Sequence, residues 1–408
     1  MAQSGDSSVQ CEPTGICTLQ RTLINDQGNP VIVPYKFKYR PAQNGAPTVV
    51  YIPGGPGGSS TQINMSEAYN IPKNFGVIQT DPLFVGVNQN KDMNSFRNTT
   101  HSEQVAKDIE LALKSVGASD VIVFGVSYGT VPGTILASQL SQQGKAPRAV
   151  ILDGTAGKSL TNAQAIQGFA KEWSLLTAKV DSGVVAAFNQ LIKRMIQRHQ
   201  ITAEEMGTIL QLTMMQRKDS RGESLWEPLL QLAVDNPKQL IQILLRLKSK
   251  VTAPDSPDRM WFHGIIGCRE LFPESNAETE NFSFDGKLSA TPLIHDCAKY
   301  AKPEEIHLYD SKNYQISAPV IYLQGENDPA TPTWQAQYHA SNQKNMNRRL
   351  LIVPNGGHGM LNSDLKNCSE NFFLALQQNP STASNSLMPC ISNQGKSSSQ
   401  QELSEGAL

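Results

Sequence analysis

The sequence predicts an α/β fold with a mostly parallel central sheet and an inserted helical segment. Three observations predict it. Between residues 48 and 152, short apolar strands alternate with helical stretches. From about 163 to 250 the strand signal vanishes and apolar residues recur at helical spacing. At Pro319 the strand–helix rhythm returns. Alternation of this kind places parallel strands in one sheet with helices on both faces.

Taken in order, residues 18–24 and 31–39 read as strands around the turn-forming Asp26-Gln-Gly-Asn-Pro30. Strand 48–52 enters the glycine-rich Gly54-Gly-Pro-Gly-Gly58. A short strand over 77–80 precedes a helix over 102–116 that opens on Ser102 as its cap. Strand 121–124 runs into Gly125-Val-Ser-Tyr-Gly129 and a helix to about 142, followed by strand 149–152. Helices are expected over 182–198, 204–215 and 238–248. The second α/β part brings strand 320–324, helix 333–343, strand 350–353 and a last helix over 367–376. From about 392 the chain is rich in Ser and Gln and is expected to be a flexible tail. The expected organisation is a first core part over 1–160, a helical cap over 161–315, a second core part over 316–390 and a tail over 391–408.

Composition narrows the function. The chain has 408 residues, of which 39% are hydrophobic and 17% charged, enough for a sizeable core. Its 35 basic and 36 acidic residues leave a net charge of -1. That balance gives no reason to expect nucleic acid as a partner. No apolar run is long enough to cross a bilayer. The first eight residues hold neither a basic nor an apolar segment, so no signal peptide is expected within the chain as written. Six cysteines, Cys11, Cys17, Cys268, Cys297, Cys368 and Cys390, fit three disulfides and an oxidising compartment, secreted or periplasmic. They form no CxxC pair and no histidine stands at ligand spacing, so no metal is expected. Six cysteines allow 15 pairings, and sequence adjacency is the only guide among them.

The chemistry resides in four places. Gly125-Val-Ser127-Tyr-Gly129 fits the G-x-S-x-G turn between a strand and a helix. Such a turn projects the serine hydroxyl above the sheet, and its flanking glycines permit close backbone contact. The helix N-terminus there favours an oxyanion. A serine hydroxyl needs a base. His358, in Asn355-Gly-Gly-His-Gly359 just after a strand, is the candidate; His339, on a predicted helix face, reads as a surface or packing residue. The acid should end the preceding strand, which selects Asp328 in Gln324-Gly-Glu-Asn-Asp328, with Glu326 and Asp153 as competitors. Gly54-Gly-Pro-Gly-Gly58 lacks the Lys-Ser/Thr ending of a phosphate loop. It reads instead as half of an oxyanion hole, with the backbone N–H of Gly55 acting beside that of Tyr128; Pro56 has no N–H to give.

These motifs together resemble a known family. The chain is similar to the prolyl iminopeptidase and tripeptidyl-aminopeptidase branch of the α/β-hydrolase serine peptidases, above all the secreted tripeptidyl-aminopeptidase type. The resemblance runs through Gly54-Gly-Pro-Gly-Gly-Ser59, Gly125-Val-Ser-Tyr-Gly-Thr130, Leu152-Asp-Gly154, Gln324-Gly-Glu-Asn-Asp-Pro-Ala-Thr-Pro332 and Gly356-Gly-His-Gly359. It spans about residues 30 to 390 and leaves the helical insertion mostly unmatched. It implies an α/β-hydrolase fold with a helical cap over the active site, and exopeptidase action on peptides with a free N-terminus. It implies no cofactor. It also implies pairing of Cys268 with Cys297 and of Cys368 with Cys390, leaving Cys11 and Cys17 to close a small loop. The family carries Asp-Pro-Arg-Gly-x-Gly-x-Ser after the third core strand. Here Asp81-Pro-Leu-Phe-Val-Gly-Val-Asn88 puts Leu83 for the Arg and Asn88 for the Ser, so the family's substrate preference is not carried over.

An aminopeptidase must hold a substrate ammonium, which calls for partly desolvated carboxylates. Glu270 stands two residues after Cys268, where the family tends to have an acid, and Glu274 follows closely. The expected function is thus a serine exopeptidase acting through Ser127, His358 and Asp328. A carboxylesterase or lipase with the same three residues is the alternative, and an inactive binding protein on the same fold is a third reading.

Overall fold

The computed structural model describes residues 9–90, 92–215, 225–251, 257–272, 282–283, 289–290 and 297–393. Glu274 and residues 394–408 lie outside them. The elements run β1 (Gln10–Cys11), β2 (Ile16–Ile24), β3 (Pro30–Arg40), β4 (Thr48–Ile52), α1 (Met65–Tyr69), β5 (Gly76–Thr80), α2 (Ser102–Ser115), β6 (Val121–Val126), α3 (Thr130–Gln142) and β7 (Ala149–Asp153). Helices α4 (Asn162–Thr177), α5 (Ser182–Gln197), α6 (Ala203–Met215), α7 (Trp226–Asp235), α8 (Pro237–Val251) and α9 (Pro257–Ile266) follow. Two short strands, β8 (Phe282–Ser283) and β9 (Ser289–Ala290), pair with each other. The chain closes with β10 (Val320–Gly325), α10 (Thr333–Asn342), β11 (Arg348–Val353) and α11 (Lys366–Gln378).

Nine strands form one sheet in the order β1-β2-β3-β5-β4-β6-β7-β10-β11. The first three are an antiparallel run joined to β5, and β5 onward is parallel. Burial explains the difference. Strand β2 alternates buried and exposed residues, as a sheet with one wet face requires, whereas β4, β5 and β7 are buried throughout. Successive residues of the parallel strands enter opposite cores. Val50, Val123 and Leu152 join the cluster that contains α2 and α3, while Val49, Ile122 and Ile151 join the one that contains α11.

A third cluster belongs to the helical insertion. Phe188, Met195, Leu210, Trp226, Leu230 and Leu244 are buried together there. The insertion therefore has an apolar core of its own, at about 1.5–3 kcal/mol for each large side chain buried. Helix α9 behaves differently: Phe262, Ile265 and Ile266 pack with the sheet core.

The expected elements differ from the observed ones at a few points. Helices α4, α7 and α9 add to those expected from periodicity. Helix α2 is capped by His101, whose Nδ1 accepts the Gln104 N–H, and not by Ser102, which is its first residue. His339 is fully buried, bonded to Thr134 and Tyr322, and its pKa is pushed down to about 3 by burial. Of the surface and packing roles open to it in the sequence, it takes the packing one.

All six cysteines are bridged: Cys11–Cys17, Cys268–Cys297 and Cys368–Cys390. The first links register partners of β1 and β2, and the third ties α11 to the chain that follows it. Alkylation of the unreduced, denatured protein followed by mass spectrometry should find no modified cysteine. Six alkylated cysteines would refute the bridges.

Candidate active site

Ser127, Asp328 and His358 follow β6, β10 and β11 respectively. The sheet runs β6-β7-β10-β11 and these strands are parallel, so all three residues leave from one edge. Parallel pairing thus brings together residues far apart in the chain.

Ser127 occupies the turn between β6 and α3 with a φ of 55°. Left-handed backbone at a non-glycine residue costs roughly 1–3 kcal/mol and needs rigid surroundings. Those surroundings are glycines in close contact. A β-carbon on Gly54 would stand 2.9 Å from Ser127 Cβ and 3.5 Å from its Oγ. One on Gly125 would strike the Gly129 carbonyl, and one on Gly129 would strike that of Ile52. The Thr130 hydroxyl donates to the Ser127 carbonyl at 2.7 Å and accepts the Ala156 N–H at 3.0 Å.

His358 Nδ1 lies 2.7 Å from Asp328 Oδ2. The same oxygen accepts from the Thr331 hydroxyl at 2.7 Å and from Gln324 Nε2 at 3.1 Å. The other oxygen takes the N–H groups of Ala330 and Thr331. Asp328 is 4% exposed, and its two oxygens accept from five donors, the imidazole included. Burial pushes the His358 pKa down, but the charge and hydrogen bond of Asp328 outweigh it, with Asp153 adding, and the net shift is upward. No hydrogen bond joins Ser127 Oγ and His358 Nε2 among the described residues; such bonds commonly tighten only around substrate.

The two competing acids have other work. Glu326 accepts the Asn355 N–H at 3.0 Å, and Asp153 accepts those of Met360 and Leu361 at 2.7 and 2.8 Å. Both hold the loop that carries His358. The His358 N–H itself donates to the carbonyl of Met215, at the end of α6, at 3.1 Å.

The glycine loop lies against this turn. Gly55 has a φ of +127°, and a β-carbon there would come within 2.7 Å of the nitrogens of Gly57 and Gly58. Asp81 anchors the loop from β5, accepting from Ser60 N at 2.6 Å, Ser59 Oγ at 2.8 Å and Thr61 Oγ1 at 2.7 Å. Asn88, in the segment that departs from the family pattern, bonds both backbone groups of Lys36 and the Asp81 carbonyl. Leu83 is buried in the sheet core.

Glu270 sits in a π-helical turn, Gly267–Leu271, and is 6% exposed. Its Oε1 accepts the Ser102 N–H at the start of α2, at 2.8 Å. Ser102 Oγ in turn lies 3.0 Å from the Tyr128 hydroxyl. Burial pushes the Glu270 pKa up to about 7 against the opposing bonds to Ser102. The Tyr128 hydroxyl is driven well up by burial and then by the Glu270 charge. Sequence reasoning found Glu270 from its place after Cys268 but not its partner, 168 residues away. It also missed Gln324 and Thr331 as supports of Asp328, although both lie in the same short motif.

A cavity of about 780 Å³ is lined by Cys11, Lys38, Arg40, Asn64 and Gln79 among others, and by none of the candidate catalytic, oxyanion or substrate-binding residues. Among the described residues no three His, Cys, Asp or Glu side chains are grouped to hold a metal ion. No described helix is long and apolar enough to cross a membrane.

Comparison with known proteins supplies the family. A model of the alpha/beta hydrolase fold matches residues 47–362. No curated protein matches the chain. Among solved structures, a proline iminopeptidase from Mycobacterium smegmatis is similar at 16% identity and TM-score 0.45, over 91% of this chain and 99% of that one. A thermophilic esterase from Thermogutta terrifontis is similar at 12% identity and TM-score 0.42, over 88% and 98%. A serine hydrolase from Cycloclasticus zankles is similar at 14% identity and TM-score 0.40, over 88% and 99%.

The raised His358 pKa makes a testable pH prediction. His358 as the candidate base has to be neutral to act, so the acidic limb of kcat/KM should lie above the ordinary histidine value of about 6.5. Asp328→Asn removes the charge that raises it. The limb should then move to lower pH, and kcat should fall by about 10³–10⁴. An unchanged pH–rate profile in Asp328→Asn would remove Asp328 from the site.

Proposed function

The chain belongs to the α/β hydrolase fold family, and from that premise we propose that it is a serine hydrolase that removes short units from the free N-terminus of peptides. The observation that carries the hydrolase reading is the 2.7 Å pair of His358 and the buried, fully bonded Asp328, on the same sheet edge as the strained Ser127.

In this reading Ser127 Oγ attacks the scissile carbonyl while its proton passes to His358 Nε2. Asp328 keeps the imidazole in the tautomer that accepts at Nε2 and stabilises the imidazolium. The backbone N–H groups of Gly55 and Tyr128 face the oxyanion. The C–N bond breaks as His358 returns the proton to the leaving amine. Water, deprotonated by His358, then attacks the Ser127 ester; the C–O bond breaks and the serine regains its proton.

The aminopeptidase part rests on the motif resemblance and on Glu270, a buried carboxylate beside the residue that follows Ser127. A buried acid of that kind suits an ammonium group. Glu274 is proposed with it on sequence position alone. The bond of Glu270 to the α2 N-terminus favours a second reading, in which Glu270 is a structural cap and the substrate is an ester. Secretion or a periplasmic location is proposed from the three disulfides, and residues 161–315 are proposed as the cap.

Ser127→Ala should fold normally and lose labelling by a fluorophosphonate probe; stoichiometric labelling of the mutant would exclude Ser127. On chromogenic peptides the wild type should cleave those with a free N-terminus and spare blocked ones. Glu270→Gln should raise KM more than it lowers kcat. Turnover of short p-nitrophenyl esters without peptide cleavage would make the protein an esterase.

A further inference from the structure

Asp153 ends β7, the strand between that of Ser127 and that of Asp328. It is fully buried, a costly place for a carboxylate without partners. Both of its oxygens are engaged, one by the Met360 N–H at 2.7 Å and one by the Leu361 N–H at 2.8 Å. These amides belong to the turn just after His358, more than 200 residues along the chain. The next residue, Gly154, has a φ of +66°, and a β-carbon there would stand 2.9 Å from His358 Cε1 and 3.1 Å from its Nδ1. The end of β7 is thus the floor on which the imidazole rests, and Asp153 fastens the turn that delivers it.

We propose that Asp153 is a positioning residue for the general base, holding the 358–361 turn through two amides and adding its buried negative charge to that of Asp328 on the imidazolium side of the reaction. This rests on the serine-hydrolase reading above. A neutral hydrogen-bonding group of the same shape accounts for the geometry only in part. Asparagine offers one acceptor and one NH₂, so it satisfies one amide and opposes its NH₂ to the other. The carboxylate is matched to two donors.

Among the described residues, the charged and titratable groups that interact with Asp153 are His358, Asp328, Tyr51 and Tyr69. Burial pushes Asp153 up to about 6, with Asp328 adding to the rise, while the two amides and His358 pull it down. Both tyrosines are neutral near neutral pH, since burial drives them up. Asp153 and His358 therefore act on each other's protonation, and the loss of the Asp153 charge is felt at the imidazole.

The test is Asp153→Asn in the full chain, alongside wild type, Asp328→Asn and Ser127→Ala. With the charge gone, the neutral imidazole is favoured, so the acidic limb of kcat/KM should move to lower pH. Loosening of the turn should lower kcat about ten- to a hundredfold, with KM changed less than threefold. Thermal melting separates this from unfolding. Asp153→Ser, which is also neutral and can accept one amide, serves as the second variant if the asparagine protein does not fold. A purely structural role would lower the melting temperature and the fraction labelled by fluorophosphonate while leaving the pH limb of the labelled enzyme in place. A folded variant with an unmoved limb and kcat within twofold of wild type overturns the proposal while Ser127-dependent labelling leaves the hydrolase reading standing. Labelling that survives Ser127→Ala overturns both.

Discussion

At the turn after β6 the backbone of Ser127 is held in a left-handed conformation by neighbours that have no side chains to give way. Gly125 and Gly129 let the turn close on itself and on β4, and Gly54 lets the loop after β4 lie against the serine. The cost of the conformation, roughly 1–3 kcal/mol, is offset by the cores on both faces of the sheet. Much else follows from it. Helix α3 starts directly behind the serine, and the glycine loop has to be anchored from the end of β5, which Asp81 does. The buried carboxylates that surround the site, Asp81, Asp153 and Asp328, each accept from backbone amides of irregular loops, and Asp328 accepts from His358 and Gln324 as well. Loops at a strand edge lack ladder partners, and carboxylates satisfy several of their donors at once.

The sheet was legible in the sequence because its strands are short apolar runs ended by glycine or proline. The expected strand over 48–52 matches the observed one, and the others differ by a few residues at their ends. Ser127, His358 and the glycine loop were legible because each requires a local geometry that few residue types permit. What could not be read is pairing over distance. Nothing local in Ser102 indicates that its N–H is met by Glu270, so the hydroxyl looked like a helix cap while the cap is His101. Asp153 looked like a competitor for Asp328 because both end a strand; only the placement of the His358 loop separates their tasks. Helices α4 and α7 pack inside the insertion through Phe169, Trp173, Trp226 and Leu230, and they were not among the helices expected. Glu274 falls outside the described residues, so its part in the site stays a sequence expectation.

Glu270 illustrates how one side chain joins two questions. Its carboxylate completes the α2 N-terminus, where an anion is stabilised by the free N–H groups and the helix dipole. Through Ser102 it also adjoins Tyr128, whose backbone is proposed to face the oxyanion. A group that supports the machinery and a group that recognises substrate look alike in a static arrangement. They separate kinetically, since the first governs kcat and the second KM.

The helical insertion touches the loops that carry His358 and Asp328 directly. The last carbonyl of α6 receives the His358 N–H, and Gly168 of α4 lies so close to the Pro329 carbonyl that a β-carbon would stand 2.5 Å from it. Pro329 is the residue after Asp328. The insertion is therefore not an interchangeable module. A chimera that grafts another enzyme's helices onto this sheet would inherit a new pocket, but it would also leave the histidine loop without an acceptor and the aspartate loop without its backstop. Transplanting specificity here means transplanting those two contacts as well.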